Sequence, residues 1–180
     1  LGDKLQEGRP LKIEDDQIII VEGIHGLNKE LGNSVPDEKK FGIYVSALTS
    51  LNIDDHNRLP STDIRLIRRI VRDNLFRGTN ALGTLKMWPS VRNGEKKYIF
   101  PFQENADIMF NSSLKYEMGV LKAYGVPLLE EIDNSNPEYS EAKRLLELLS
   151  YFLPVGCSDI PINSILREFI GGSCFEGEVT

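Results

Sequence analysis

The alternation of apolar and polar residues along the chain predicts short strands separated by helices. Three runs rich in β-branched or aromatic residues have the length and composition of strands in a parallel sheet: Gln17–Glu22, Phe41–Ser46 and Ala106–Asn111. The first is almost continuously apolar, as expected of a strand buried on both faces. Because helical patterns lie between and after these runs, the sequence predicts a three-layer α/β/α fold with a mostly parallel sheet.

Helical spacing of apolar residues, with Ser, Thr or Pro at the start, marks four further segments. They are a helix that runs to about Phe76 with Ser61 or Thr62 as its N-cap, Leu114–Tyr124, Pro137–Leu153 and Ser164–Ile170. Glycine or proline residues are expected to end three of them: Gly78, Gly125 with Pro127, and Gly171 with Gly172. The connection Leu85–Asn105 contains the turn-forming pair Asn93-Gly94 and is interpreted as a flap over an active site.

Composition places the chain among globular proteins. It has 180 residues, 21 Lys and Arg against 27 Asp and Glu, and a formal net charge of −6. This balance suits a single domain and argues against a general nucleic-acid binder. The run Ile18–Val21 is too short to span a bilayer, and Cys157 and Cys174 are too few for a disulfide scaffold or a four-thiolate zinc site. We therefore expect a cytoplasmic protein without a DNA or membrane partner.

A carboxylate stands at the end of the first predicted strand, where Gly23 lets the chain turn away from Glu22. Ligands of parallel sheets bind at the carboxyl ends of strands, and a carboxylate there suits a hydrated Mg²⁺ beside phosphates. The alternative is a glutamate that caps a helix or is solvated at the rim. His25, shortly after, contacts a substrate or serves as a hydrogen-bonded packing residue.

Arginines form a stripe along one face of the first predicted helix. They are Arg65, Arg68, Arg69 and Arg72, with Arg77 just beyond. Because only Asp63 and Asp73 supply acid nearby, the stripe is interpreted as needing an anion. Guanidinium groups form bidentate hydrogen bonds to phosphate oxygens. This favours phosphate binding over the alternative, a structural helix whose arginines are held in salt bridges.

The segment Gly78–Thr84 resembles the phosphate-binding loop G-x-x-x-x-G-K-[ST] but is rejected as one. It lacks the lysine after the second glycine, and it follows a helix where that loop follows a strand. No other segment of the chain fits the motif.

Several motifs resemble the uridine kinase and phosphoribulokinase family of P-loop kinases. Ile18–His25 is similar to the metal-binding strand, Asp63–Gly78 to the lid helix, and Ala106–Phe110 to the last core strand of that family. Tyr98–Glu104 and Ile165–Gly172 resemble a bacterial uridine kinase-like branch, in which a domain similar to the N-terminal part of threonyl-tRNA synthetase precedes the kinase domain. The resemblance covers most of the chain from about residue 11 onward.

The resemblance implies a P-loop kinase-like fold and transfer of the ATP γ-phosphoryl group to a nucleoside hydroxyl with Mg²⁺. It implies that Glu22 belongs to the metal site and that His25 lies near the nucleoside. It implies contact with the phosphates for the lid arginines, of which Arg69 and Arg72 are the catalytic candidates: Arg65, Arg68, Arg69, Arg72 and Arg77.

This chain departs from the family pattern in two ways. Uridine kinases usually carry a second arginine after the Arg-Gly pair of the lid, where this chain has Thr79. The phosphate-binding loop and the catalytic Asp of the family are missing and are expected upstream of Leu1. The 180 residues are therefore expected to be the C-terminal part of one uridine kinase-like domain: a polar lead-in over residues 1–16, lid helix and flap over 61–105, and C-terminal helices over 137–180.

Such a part of a domain is expected to be inactive alone and, because it would expose an apolar sheet edge, to form a homodimer. Two other functions stay open. One is a kinase of another small acceptor, such as a phosphorylated sugar or pantothenate. The other is a non-catalytic module, derived from a P-loop kinase, that binds a nucleotide or an RNA end as a regulator.

Overall fold

The computed structural model describes residues 12–32, 35–48 and 51–175. Most of the predicted polar lead-in, residues 1–11, and the last five residues of the C-terminal segment lie outside this range. Short 3₁₀ turns occur at Lys29–Gly32, Asp37–Lys39 and Phe100–Asn105. The longer elements are, in chain order, β1 (Ile43–Ser46), α1 (Ser61–Arg77), α2 (Ala81–Tyr98), β2 (Ile108–Asn111), α3 (Glu117–Glu130), α4 (Tyr139–Ser150) and α5 (Arg167–Ile170).

The sheet of the described residues consists of β1 and β2, which run parallel with Ile43 opposite Ile108. Helices α1 and α2 make the crossover between the two strands, as parallel pairing requires. The sequence placed strands in both of these positions, and the α/β class with a parallel sheet is confirmed.

The predicted strand Gln17–Glu22 is wrong as a buried strand in this structure. Its residues form no strand, and Ile18 and Ile20 are each 89% exposed. β-branched residues favour an extended backbone, but a strand also needs a neighbouring backbone to take its hydrogen bonds. None of the described strands pairs with this run. The apolar sheet residues Val45 and Phe110 are also exposed, and the homodimer stays a prediction that light scattering of the purified chain would test.

Helix α1 lies at the centre of the helices and packs against α2, α3 and α5. Leu66, Ile67 and Ile70 are fully buried, whereas Leu75 near its C-terminus is exposed. Helix α4 packs on α3, and its residues Leu145, Leu148 and Leu149 belong to the buried core. The predicted lid helix is therefore part of the core in this structure.

Two predicted helix boundaries are wrong. The N-cap of α1 is Pro60, which has no side chain to bond the first turn, so neither Ser61 nor Thr62 caps it. Helix α3 begins at Glu117 and continues through Gly125 and Pro127 to Glu130. Gly125 lies against Leu149 and Ile67 side chains, so close packing onto α4 and α1 outweighs the low helix propensity of the glycine. By contrast, Gly78 ends α1 in the left-handed conformation, with φ of 59°, as predicted.

The predicted flap Leu85–Asn105 is instead mostly helix, because α2 continues through Asn93-Gly94 to Tyr98. Asn80 caps the start of α2, since its side chain accepts a hydrogen bond from the Gly83 amide at 2.9 Å. Farther along, the buried Glu95 side chain forms an ion pair with Arg65 of α1. A capped start and an ion pair near the C-terminal end keep this segment helical despite its turn-forming pair.

We expect two glycine-to-alanine substitutions to have opposite effects on the free energy of unfolding. At Gly119 a Cβ atom would lie 2.6 Å from the Leu153 carbonyl oxygen and 2.8 Å from Val155 Cγ2, so Gly119→Ala should lower it by about 1–3 kcal/mol. At Gly94, also inside a helix, a Cβ atom would meet nothing within 4 Å. Gly94→Ala should therefore raise the free energy by about 0.5–1 kcal/mol. Urea denaturation measures both, and equal effects of the two variants would contradict the packing argument.

Candidate functional site

Three arginines of α1 share one buried carboxylate. Asp73, with a side chain only 2% exposed, lies 3.1 Å from Arg69 Nε, 2.9 Å from Arg72 Nη2 and 3.5 Å from Arg77 Nη1. Each distance ends on one of the two carboxylate oxygens of Asp73. We call these four residues the arginine cluster.

The C-terminus of α1 fixes the position of Arg77. The Gly78 and Thr79 amides both donate to the main-chain oxygen of Asp73, the latter at 3.0 Å. Arg77 therefore lies in the last turn, where the partial negative charge of the helix end favours a cation. Its side chain remains 56% exposed and free to bind a ligand.

Charge in the arginine cluster is unbalanced, with three guanidinium groups against one carboxylate. Arg72 and Arg77 also line an open cavity of about 600 Å³, between the end of α1 and residues 163–175. Glu168 of α5 lines the same cavity and lowers the excess of positive charge without cancelling it. Unused N–H groups of guanidinium forks beside a cavity are suited to bind phosphate oxygens.

Arg68, in contrast, is buried in the core and paired there with Glu117. Its guanidinium donates to Glu117 and to the hydroxyl and main-chain oxygens of Ser112, and it lies 5.0 Å from the centre of the Phe169 ring. Burial raises the pKa of the Glu117 carboxyl, and the nearby Arg68 charge opposes that rise. Because both side chains are buried and paired, Arg68 is the least accessible of the five arginines to a phosphate.

Arg65 joins α1 to α2. It forms an ion pair with the buried Glu95, which also binds Arg92, and the Arg92 guanidinium lies 5.7 Å from the Phe100 ring centre. The Glu95 carboxylate thus forms ion pairs with two arginines, whereas the Asp73 carboxylate forms ion pairs with three. In this structure Arg65 holds two helices together, and its predicted contact with phosphate stays a prediction.

The premise that the arginine stripe lacks acidic partners is wrong. Glu95 and Glu117 come from α2 and α3, 30 and 49 residues from the arginines that they bind. Asp63, which the sequence placed beside the stripe, instead binds Arg144 of α4 at 2.7 Å. Arg65 and Arg68 each pair with a buried glutamate, whereas Arg69, Arg72 and Arg77 share one carboxylate beside the cavity, so the case for an anion site narrows to these three.

Glu22 is exposed and directly precedes a turn that begins at Gly23, which has φ of 151°. Within the described ranges, no group of three or more His, Cys, Asp or Glu side chains could hold a metal ion. Proteins commonly bind Mg²⁺ through one or two carboxylates, with water and phosphate oxygens completing the shell. An exposed single carboxylate therefore fits as one ligand of such an ion, and the role of Glu22 stays a prediction.

His25 packs against the end of α2. Its ring and the Tyr98 ring are 4.9 Å apart in an edge-to-face arrangement, and the residue is half-buried. This contact matches the alternative in which His25 is a packing residue. A nucleoside contact from the remaining part of the ring is untested.

Gly78–Thr84 is not a phosphate-binding loop. It connects the C-terminus of α1 to the N-terminus of α2, with Asn80 as the N-cap. The rejected motif therefore follows a helix, as the sequence predicted.

For the described part of the chain, no helix combines the length and the apolar character that crossing a membrane requires.

Sequence reasoning missed the residues that complete the cavity, above all Phe76 and Phe175. Phe76 lies between Arg72 and Arg77 in the sequence. An aromatic residue between two candidate phosphate-binding arginines was the signal that could have identified it. Phe175 lies about a hundred positions away, and no local pattern connects it with α1. It joins the site only through the packing of α5.

Comparison with protein families found one match. A model described as the Phosphoribulokinase / Uridine kinase family matches residues 3–117, more than half of the chain. The matched part contains Glu22, His25 and all five arginines, whereas α4 and α5 lie beyond it. Comparison with curated proteins and with solved structures found no match. Together with a parallel pair of strands joined by two helices, the family match confirms a P-loop kinase-like α/β fold in partial form.

Proposed function

The chain belongs to the phosphoribulokinase and uridine kinase family of phosphotransferases, and we propose that it supplies the metal carboxylate and the phosphate-binding arginines of an ATP- and Mg²⁺-dependent nucleoside kinase of the uridine type. The observation that carries the proposal is the arginine cluster, in which three guanidinium groups share the buried Asp73 beside an open cavity. We further propose a cytoplasmic location, since Cys157 and Cys174 are free thiols, as is usual in reducing compartments.

Phosphoryl transfer depends mainly on positioning and on neutralising the charge of the phosphate oxygens. In the proposed mechanism Arg72 and Arg77 bind those oxygens, since both line the cavity. Asp73 holds Arg72 in place through one carboxylate oxygen, and Arg69 binds its other oxygen. Buried Asp73 also fixes the arginine side chains before a ligand arrives, which lowers the entropy that binding must overcome.

Glu22 would hold the Mg²⁺ ion, which when bound supplies positive charge between the phosphate oxygens. An exposed carboxylate that directly precedes a turn beginning with glycine can approach a hydrated ion without displacing other contacts. The phosphate-binding loop and the base that accepts the hydroxyl proton are not assigned to any residue of this chain.

A coupled ATP-consumption assay on the polypeptide that contains both this chain and a phosphate-binding loop tests the proposal. The acceptor panel contains nucleosides, a phosphorylated sugar and pantothenate. We expect nucleoside-dependent turnover that Glu22→Gln lowers at least about 100-fold, because the amide loses the charge that binds Mg²⁺. Glu14→Gln, an exposed glutamate in the same stretch, is the matched control and should leave turnover unchanged.

Other outcomes separate the remaining functions. Turnover with the sugar phosphate or pantothenate alone would replace the nucleoside by that acceptor. ATP binding without turnover on any acceptor would favour a regulatory nucleotide- or RNA-binding module, a function consistent with the absence of the G-x-x-x-x-G-K-[ST] motif from these residues. Turnover by the 180 residues alone would contradict the prediction that they are inactive by themselves.

A further inference from the structure

The cavity beside Arg72 and Arg77 has a second wall, which residues 163–175 supply. This segment lies outside the residues that match the family. We propose that the cavity is a nucleotide site in which the two arginines bind the phosphates and the segment 163–175 seats the base. The inference rests on the proposed function only for the class of ligand, and it assigns a binding role to a part of the chain that the family match does not reach.

The second wall is held rigidly. Arg167 donates to the main-chain oxygens of Cys157 at 3.0 Å and Ile160 at 2.7 Å, so α5 is tied to the loop before it. The chain then turns at Gly171 and Gly172, both with positive φ, and the Cys174 amide donates to the Ile162 oxygen at 2.9 Å. These bonds bring the end of the segment back across the start of α5 and close the wall.

The wall touches α1 at its aromatic end. A Cβ atom on Gly171 would lie 3.6 Å from Phe76 Cζ, in ordinary van der Waals contact. The left-handed conformation at Gly171, with φ of 84°, is one that other residues adopt only with strain. The positive φ values of the glycine pair therefore form the turn that places the end of the segment beside Phe76.

Charge at the cavity favours an anion with more than one phosphate oxygen. Arg72 and Arg77 provide two guanidinium groups, whereas Glu168 provides one carboxylate and Asp73 already binds three arginines. Ser164 and Ser173 add hydroxyl groups to the lining. Donors of both kinds are those that proteins use for phosphate groups.

Aromatic rings at the cavity favour a base on the same ligand. Phe76 is 51% exposed and Phe175 is 79% exposed, although both are large apolar side chains. Phenylalanine rings stack on any nucleobase, because every base has a π-face. A volume of about 600 Å³ is also typical of sites for small organic ligands and larger than inorganic phosphate needs. Phosphate and base on one molecule describe a nucleotide.

The test titrates the ¹⁵N-labelled chain with ADP, pyrophosphate and adenosine, measuring affinity by calorimetry and the binding site by amide chemical shifts. We expect ADP to bind with shifts at Ser164, Ser173 and Phe175. Phe175→Ala should weaken ADP about tenfold and leave pyrophosphate unchanged. Arg77→Gln should weaken both. The wild-type affinity for adenosine should be below that for ADP.

Matched controls lie outside the cavity. Leu153→Ala removes a side chain that is 85% exposed, and Arg58→Gln removes an exposed arginine; neither should change ADP affinity. No ADP binding, shifts confined to other residues, or an ADP affinity that Phe175→Ala leaves unchanged would each overturn the inference. If turnover fails with every acceptor while ADP shifts the cavity residues, the kinase proposal fails and the site stands. If turnover succeeds but ADP does not shift the cavity residues, the kinase proposal stands and the nucleotide site in this cavity is overturned.

Discussion

Arg68→Met should lower the free energy of unfolding at pH 7 by about 3–5 kcal/mol. The substitution leaves the Glu117 carboxylate, which is fully buried, without the guanidinium that binds it. A buried charge without its partner is among the costliest defects in a protein core. Urea denaturation of the purified chain measures the loss.

The size of the loss should depend on pH. Burial raises the pKa of Glu117 from its ordinary value of 4.5, and Arg68 opposes the rise. Without Arg68 the folded-state pKa rises further, so the folded state of the variant binds a proton more readily than the unfolded state does. Its stability relative to the parent is then highest below pH 4.5 and falls as pH rises through the folded-state pKa. A loss equal at pH 4.5 and pH 7 would contradict this assignment.

A double variant distinguishes the cost of leaving the Glu117 carboxylate unpaired from the cost of losing the Arg68 side chain itself. Arg68→Met combined with Glu117→Met removes both charges and should recover most of the loss, because a buried ion pair contributes little compared with apolar packing. Lys40→Met, which breaks the exposed ion pair with Asp37, is the control and should change stability little. A double variant less stable than both single variants would show that the pair itself stabilises the fold.

Arg72→Lys should lower the proposed kinase turnover by about 100- to 1,000-fold, the usual effect of removing one donor to a reacting oxyanion. Lysine keeps the positive charge and its attraction to Asp73 but loses the planar fork that binds two oxygens at once. The expected defect is therefore in turnover, with little change in unfolding temperature. The measurement is the coupled ATP assay together with thermal unfolding.

Arg58→Lys provides the matched control, since Arg58 is exposed and does not line the cavity. It should leave turnover unchanged. If Arg72→Lys retains full turnover, Arg72 does not bind the transferring phosphate. A large fall in unfolding temperature would instead show that Arg72 acts mainly by holding the end of α1 together.

The sequence predicted the elements whose signals are local. Both strands of the sheet and helix α1 with its glycine end were found, because alternation, helical spacing and a C-terminal glycine act within a few residues. Helix α2 was missed, since Asn93-Gly94 is a turn signal by itself, and the ion pair of Glu95 with Arg65 that anchors the helix is not visible locally. The boundary of α3 was missed for a related reason, since packing of Gly125 on α4 decides it.

The same division holds for the candidate site. The sequence by itself determined that α1 carries a row of arginines, because helical spacing fixes which side chains share a face. Only the tertiary structure decided which of them remain available to a ligand. Glu95 binds Arg65 and Glu117 binds Arg68, although the partners of each pair are far apart in sequence. Arg72 and Arg77, in contrast, share Asp73 and line the cavity. Charge pairing depends on distance in space, and folding alone sets that distance.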